Sequence, residues 1–226
     1  MQQDLTKLRL FVATPSCRPW AAEYGNSMVN LSSHFALKWE RKEIDSIWIS
    51  SQVASLLPLG REILLDAATK LGATHILFID DDTSFRPECV DSLISRDLDY
   101  VACNMVRKKF PITTTSYGKD GLPVSSVGKT GVEEVHHVGL GMTLIKMDAI
   151  KDIPCPHFEI KWLEDQCTYQ GEDMYFCDKL RAAGIKLYVD HDASQLVSHI
   201  GDFMYSMHSE GNSVQLTSSL LKQEAA

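Results

Sequence analysis

Residues Thr74-His75-Ile76-Leu77-Phe78-Ile79-Asp80-Asp81-Asp82-Thr83 constrain the chain more than any other stretch. Ile76 to Ile79 form an unbroken apolar run, the pattern of a strand buried on both faces, and the run stops at three consecutive carboxylates. Unpaired charges do not enter a core, because each costs several kcal/mol or neutralises itself. The acids therefore belong where the strand leaves its sheet, at the carboxyl end, which is where open α/β sheets bind ligands. Side chains alternate along a strand, so Asp80 and Asp82 are expected on one side and Asp81 on the other. Two convergent carboxylates offer hard oxygens suited to Mg2+ or Mn2+ shared with substrate phosphates. The plain alternative is an acidic turn that does no more than end a strand.

A chain of 226 residues suits one domain and can bury roughly 70% of its unfolded surface. The net charge of −8 argues against a surface made for nonspecific polyanion binding, although a local basic patch can still meet phosphates. Six cysteines without CxxC pairing are expected to be reduced thiols in a cytosolic protein. The polar start Met1-Gln2-Gln3-Asp4 does not resemble a secretory signal, and no apolar run has transmembrane length. A soluble, cytoplasmic protein without a membrane partner is the expectation.

Taken in order, Leu8–Ala13 is expected to form the first buried strand, turning at Thr14-Pro15-Ser16, a common place to seat a nucleotide base or ribose. Residues 21–40 suit a helix with Met28, Leu31, Phe35 and Leu37 on its apolar face. A strand at 45–50 precedes a helix over 61–71, whose Leu64, Ala67, Ala68 and Leu71 share a face and whose stop is Gly72. Beyond the acids, Pro87 stands at a first helical position, and a strand follows at 99–103. This alternation predicts an α/β, Rossmann-like fold: a mostly parallel sheet with helices on both faces.

Arg107-Lys108-Lys109 can hold a diphosphate or an anionic acceptor, or be a solvated charge run. Residues 116–133, rich in Gly, Ser and Lys, are expected as hairpin turns or a mobile loop outside the core, and Gly128-Lys129-Thr130 lacks the upstream glycine of a P-loop. Gly139 and Gly141, ahead of a strand at 142–147, permit either close approach to a ligand or a bulge. Pro154 and Pro156 forbid a regular helix over 151–165, where Phe158 and Trp162 could wall an acceptor pocket. Gly171-Glu172-Asp173 opens a helix with Phe176, Leu180 and Ala183 on one face. Its two acids suit either the helix dipole or a general base. A last clear strand spans 185–190, residues 195–201 trail it, and the tail from Asp202 is expected to be loosely held.

Four segments in this order resemble the GT-A glycosyltransferases, in particular small, often phage-borne, family-2-like enzymes. They are Ala73–Asp82 with Pro87, Val138–Ile145, Gly171–Cys177 and Val197–Gly201, so the likeness spans roughly residues 8–201. It implies a GT-A domain over 1–205 with a polar tail at 206–226, and a nucleotide-sugar-dependent transferase carrying a DxD motif. Asp80 and Asp82 would be its acids, Asp82 on the Mn2+ or Mg2+ ion and Asp80 toward the metal or the ribose. Asp81 would stand among the donor contacts, and His199 would complete the metal's coordination. Arg61, Thr14 and Pro15 would lie near the donor, with Gly139 and Gly141 beside it, although Leu140 stands where a small or hydroxylated residue is usual. Asp173, or else Glu172, would be the base of an inverting reaction.

The resemblance leaves the acceptor open among a glycan, a small molecule and a hydroxymethylated DNA base, and implies a UDP-sugar as the commonest donor. The rival with most support is a haloacid-dehalogenase-type phosphatase using Asp80 and Asp82, with Lys146 as its lysine, although that family's nucleophile usually lies nearer the N terminus. A sugar nucleotidyltransferase lacks its glycine-rich loop after the first strand, and a noncatalytic binding module would not need the acids. The cysteines and histidines also lack the spacing of a structural zinc protein.

Overall fold

A computed structural model describes residues 4–201 and 204–207. Its strands and helices run in the order β1 (Arg9–Ser16), α1 (Ala22–Glu40), β2 (Ser46–Val53), α2 (Leu57–Lys70), β3 (His75–Ile79), β4 (Thr83–Phe85), α3 (Glu88–Ser95), β5 (Tyr100–Cys103), β6 (Val132–Val135), β7 (Met142–Lys146), α4 (Met147–Ile150), β8 (Lys161–Leu163), β9 (Thr168–Gln170), α5 (Glu172–Ala182), β10 (Leu187–Asp190), α6 (His191–Ser194), β11 (Val197–Ile200) and β12 (Met204–Ser206). Seven strands form the central sheet in the order β2-β1-β3-β7-β5-β10-β6. The pairings leave β7 and β6 antiparallel to the other five, so the sheet is mixed and mostly parallel, as expected.

The period-two alternation of a strand sorts this sheet's residues into two cores. Leu10, Val12, Leu77 and Ile79 face a layer made by Tyr24, Met28, Leu31 and Phe35 of α1 and by Val90, Leu93 and Ile94 of α3. Phe11, Ala13, Ile76 and Phe78 face the other way, onto Leu64, Leu65 and Ala68 of α2 and Phe176 and Leu180 of α5. Burial on both faces is why Ile76–Ile79 of β3 are all apolar. The expected faces slip at their ends: Leu37 is 51% exposed, Leu71 is 47% exposed, and Cys177 is buried where Ala183 was expected.

Several boundaries differ for identifiable reasons. Thr14-Pro15-Ser16 does not turn but continues β1. The pairing with β3 ends at Ala13, so the missing N–H of Pro15 interrupts no ladder on that side. Pro87 caps α3 from just outside it. Phe158 is no pocket wall; its ring is core, packed on Phe78 and Phe176, while Trp162 lies exposed on β8. Residues 116–131 are irregular, as expected, yet Val124, Ser116 and Ser126 are buried. Asn104 Nδ2 donates to Val124 O at 2.7 Å and to Ser126 Oγ at 2.9 Å, and Ser116 Oγ donates to Asn104 Oδ1 at 2.7 Å. Their polarity is consumed internally, so composition misplaces them on the surface.

All six cysteines are free, and no helix among the described residues is long and apolar enough to cross a membrane. Of the tail expected over 206–226, residues from 208 onward lie outside the described residues.

His75 opens β3 at 8% exposure, and burial, assisted by the charge of Lys146, pushes its pKa down to about 4. The folded imidazole stays neutral while the unfolded one protonates below its ordinary 6.5, so stability is lost as pH falls between these values. Replacement by Gln should remove ~3 kcal/mol of the decline between pH 7 and 4, measured by urea unfolding.

Candidate active site at the carboxyl end of the sheet

Asp80 follows Phe78 by two residues and emerges on the same face, toward α2 and α5. There Arg61 Nη2 donates to its Oδ1 at 2.8 Å, and the Asp80 N–H donates to Gly141 O at 3.0 Å. Asp81 emerges on the opposite face, where Ser16 Oγ donates to its Oδ2 at 2.6 Å and Arg18 Nε lies 3.4 Å from its Oδ1. Alternation ends at this point. A turn closed by the Thr83 N–H on Asp80 O, 3.1 Å, swings Asp82 away from Asp80's side, correcting the expectation that the two acids converge. Asp82 meets Arg18, Lys108 and His199, and the hydroxyl of Thr83 donates to Gly141 O at 3.1 Å.

A small second sheet supplies the histidine. β4 and β11 pair antiparallel, with His199 opposite Thr83, and the Ile200 N–H donates to Asp82 O at 2.7 Å. His199 Nδ1 lies 2.8 Å from Val106 O and must carry the proton for that bond, leaving Nε2 facing Asp82 Oδ1 at 3.2 Å. Two electron-rich atoms so placed need either a second proton or a cation between them. A divalent metal fits, because the imidazole is oriented by a backbone carbonyl as metal-bound histidines usually are. Burial raises the Asp82 carboxyl, but a hydrogen bond from His199, when its ring carries the second proton, and one from Lys108 outweigh it and hold the group well below the ordinary carboxylate value. Asp80 is engaged by Arg61, and Asp82 by Arg18 and Lys108; His199 lies against Asp82.

Arg61 is only 2% exposed. Its Nε lies 3.4 Å from Glu172 Oε1, its guanidinium lies over the Phe78 ring, and its Nη1 has no partner among the described residues. Burial opposes its charge, yet Asp80 and Glu172 more than restore it. Glu172 and Asp173 open α5 behind Gly171, as expected. Asp173 is pushed up from the usual carboxylate range by burial and by Glu172, against the Met174 N–H at 2.8 Å and the charge of Arg61. Gly139 and Gly141 lie beside these acids. A Cβ on Gly139 would stand 3.5 Å from Asp173 Oδ2 and 3.3 Å from Thr115, and one on Gly141 would stand 3.6 Å from Asp80 Oδ2 and 3.2 Å from Met105 Cγ. Neither glycine has a positive φ, so close approach and not backbone conformation explains them.

The structure thus brings Asp80, Arg61, Glu172, Asp173, Gly139 and Gly141 to one cluster and Asp81, Asp82 and His199 to an adjoining one. Thr14 and Pro15 are buried within β1, with the Thr14 hydroxyl bonded to that of Tyr24, so neither presents a polar side-chain group to a ligand. The residues from that segment that reach the acids are Ser16 and Arg18, which sequence reasoning missed; the available signal was a lone arginine just beyond a strand end. Of the basic triplet only Lys108 reaches the acids, since Arg107 packs on Tyr117 and Lys109 is exposed. Lys146, the lysine a phosphatase would need, pairs with Asp97 at 2.7 Å and stands opposite His75, at the far end of β3 from the acids.

No family model and no curated protein matches the chain. Among solved structures it is similar in fold to A197 from STIV, with a TM-score of 0.59 and 21% identity over 89% of this chain and 92% of that one. S. aureus TarS 1–349 in complex with UDP-GlcNAc aligns with a TM-score of 0.49 and 14% identity, over 92% of this chain and 62% of that one. The catalytic domain of Drosophila β1,4-galactosyltransferase 7 in complex with xylobiose gives 0.47 and 14%, over 86% and 71%.

Proposed function

We propose that the chain is a metal-dependent glycosyltransferase of the GT-A type, moving a sugar from a nucleotide-sugar donor, a UDP-sugar foremost, to an acceptor hydroxyl with inversion. The observation that carries this is the meeting, at one sheet end, of a carboxylate–imidazole pair, a buried arginine with an unpaired N–H, and a proton-avid carboxyl. Breaking a sugar–phosphate bond throws negative charge onto the departing diphosphate. Arg18, Lys108 and the free Nη1 of Arg61 offer N–H donors for that charge in a site already fixed by folding. Asp82 and His199 would hold Mn2+ or Mg2+, whose chemistry is further neutralisation of the leaving group; an imidazole donor favours Mn2+ over the harder Mg2+. Asp80 holds the Arg61 guanidinium in place. Asp173, whose raised affinity for protons matches the task, takes the proton of the attacking hydroxyl. One displacement with a protein base on the acceptor inverts the anomeric centre. The acceptor is an alcohol of a glycan, a small molecule or a modified base.

The test is release of nucleoside diphosphate from UDP-sugars in the presence of Mn2+ and mixed acceptors. Release that stops with EDTA is the expected result. Phosphate liberated from a generic phosphomonoester, without any nucleoside diphosphate, would overturn the proposal and give the acids a hydrolytic role.

A further inference from the structure

Glu62 follows Arg61 on α2, so the two side chains leave the helix about 100° apart and Glu62 points away from the acids of β3. It faces a cavity of about 640 Å3 that runs along α2 to Gly72, Ala73 and Thr74, near the amino end of β3. Cys155 and His157 line the same cavity. One ligand atom from each of Glu62, Cys155 and His157 lies within 4.8 Å of the other two, and this is the only such trio of Cys, His and acidic side chains among the described residues.

The contacts converge on a single atom. His157 Nδ1 lies 2.9 Å from Glu62 Oε2 and 3.7 Å from Cys155 Sγ. A nucleophile relay would use both ring nitrogens, one toward the thiol and one toward the acid, so this arrangement is not a relay. Three ligand atoms mutually within 4.8 Å can surround one cation. With Zn–S near 2.3 Å and Zn–N near 2.0 Å, a tetrahedral site separates sulfur from nitrogen by about 3.5 Å, near the 3.7 Å between Cys155 and His157, while the 2.9 Å hydrogen bond between His157 and Glu62 is one that a bound ion would replace.

The trio is also held from outside. The other oxygen of Glu62 accepts the His157 N–H and, at 2.9 Å, the Phe158 N–H. Lys179 Nζ donates to Pro154 O at 2.5 Å and to Pro156 O at 2.6 Å, and the Phe158 ring anchors the segment in the core. Ligands held in place by hydrogen bonds from neighbouring groups distinguish a binding site from a chance cluster.

We propose that Glu62, Cys155 and His157 form a zinc site, with its fourth position open to the cavity. Thiolate and imidazole select Zn2+ over the oxygen-seeking Mg2+ and Ca2+. Sequence spacing could not reveal it, because two ligands are only two residues apart and the third comes from a different element. The site is independent of the proposed transferase centre.

Tag-free, reduced protein stripped with EDTA and held in excess Mn2+ to fill the Asp82–His199 site should take up one tight equivalent of Zn2+ in competition with a chromophoric indicator. Co2+ in its place should give a thiolate charge-transfer band. Cys155→Ser should lose both the equivalent and the band while keeping the wild-type melting temperature, since Cys155 is exposed. His157→Ala should lose the equivalent as well, and Asp82→Ala should retain it. No uptake by the wild type, retention of the equivalent and band by Cys155→Ser, or their loss in Asp82→Ala would each overturn the proposal.

Discussion

Asp173→Asn is expected to lower the rate of sugar transfer by about 10²–10⁴, the usual contribution of a positioned general base, while leaving nucleotide binding unchanged. The same variant should be more stable than wild type at pH 7. Burial and the neighbouring Glu172 raise the Asp173 pKa in the folded state, so its ionisation works against folding. For a raised carboxyl, that stabilising preference for the protonated form is fully present below the unfolded value of 3.8 and lost as pH rises through the folded one. Asn mimics the protonated form and keeps an oxygen for the Met174 N–H. The stability gap should therefore be widest at neutral pH and should close in acid. A variant that is both active and no more stable would remove Asp173 as the base.

Arg61→Met should destabilise the fold by about 3–5 kcal/mol, because it strips the partner from two carboxylates at once. The side chain is nearly inaccessible and its charge is the countercharge to Asp80 and Glu172. Methionine fills much of the volume but supplies neither donor. Arg61→Lys keeps one charge without the planar fork that spans both acids, and should fall between Met and wild type. Urea unfolding at pH 7 measures both. A loss below about 1 kcal/mol for Met would mean that water satisfies the acids and that the arginine's place is not structural. The unpaired Nη1 adds a functional expectation: both variants should weaken donor binding more than their stability loss accounts for.

The parts of this molecule legible in its sequence are those where one physical signal dominates. β3 could be read because four buried apolar residues, Ile76 to Ile79, faced both layers, and α5 because a glycine, two acids and a second glycine bounded it. β4 and β11 were not legible. They are three and four residues long and exist by pairing with each other across more than a hundred positions of chain. That pairing is also what carries His199 to Asp82, so the histidine's partner could be inferred from resemblance but not from the residues around it. Strand alternation gave the sides of Asp80 and Asp81 and failed at Asp82, one residue into a turn. Thr14 and Pro15 misled because a turn-forming pair can persist in a strand whose neighbour on one side has already ended. Ser16 and Arg18 were then hidden by the boundary drawn before them.

The most direct test of the site is a thermal-shift panel of UDP, GDP, CMP and dTDP, each with Mn2+ and with EDTA, on wild type and Asp82→Ala. Saturation at about a hundred times the dissociation constant adds ~2.7 kcal/mol, which for a chain of this size raises the midpoint by roughly 5–10 °C. A shift of that order with one nucleotide and Mn2+, absent with EDTA and in Asp82→Ala, is the expected result. A wild-type protein whose midpoint moves with none of the four nucleotides would contradict a donor site at the end of β3.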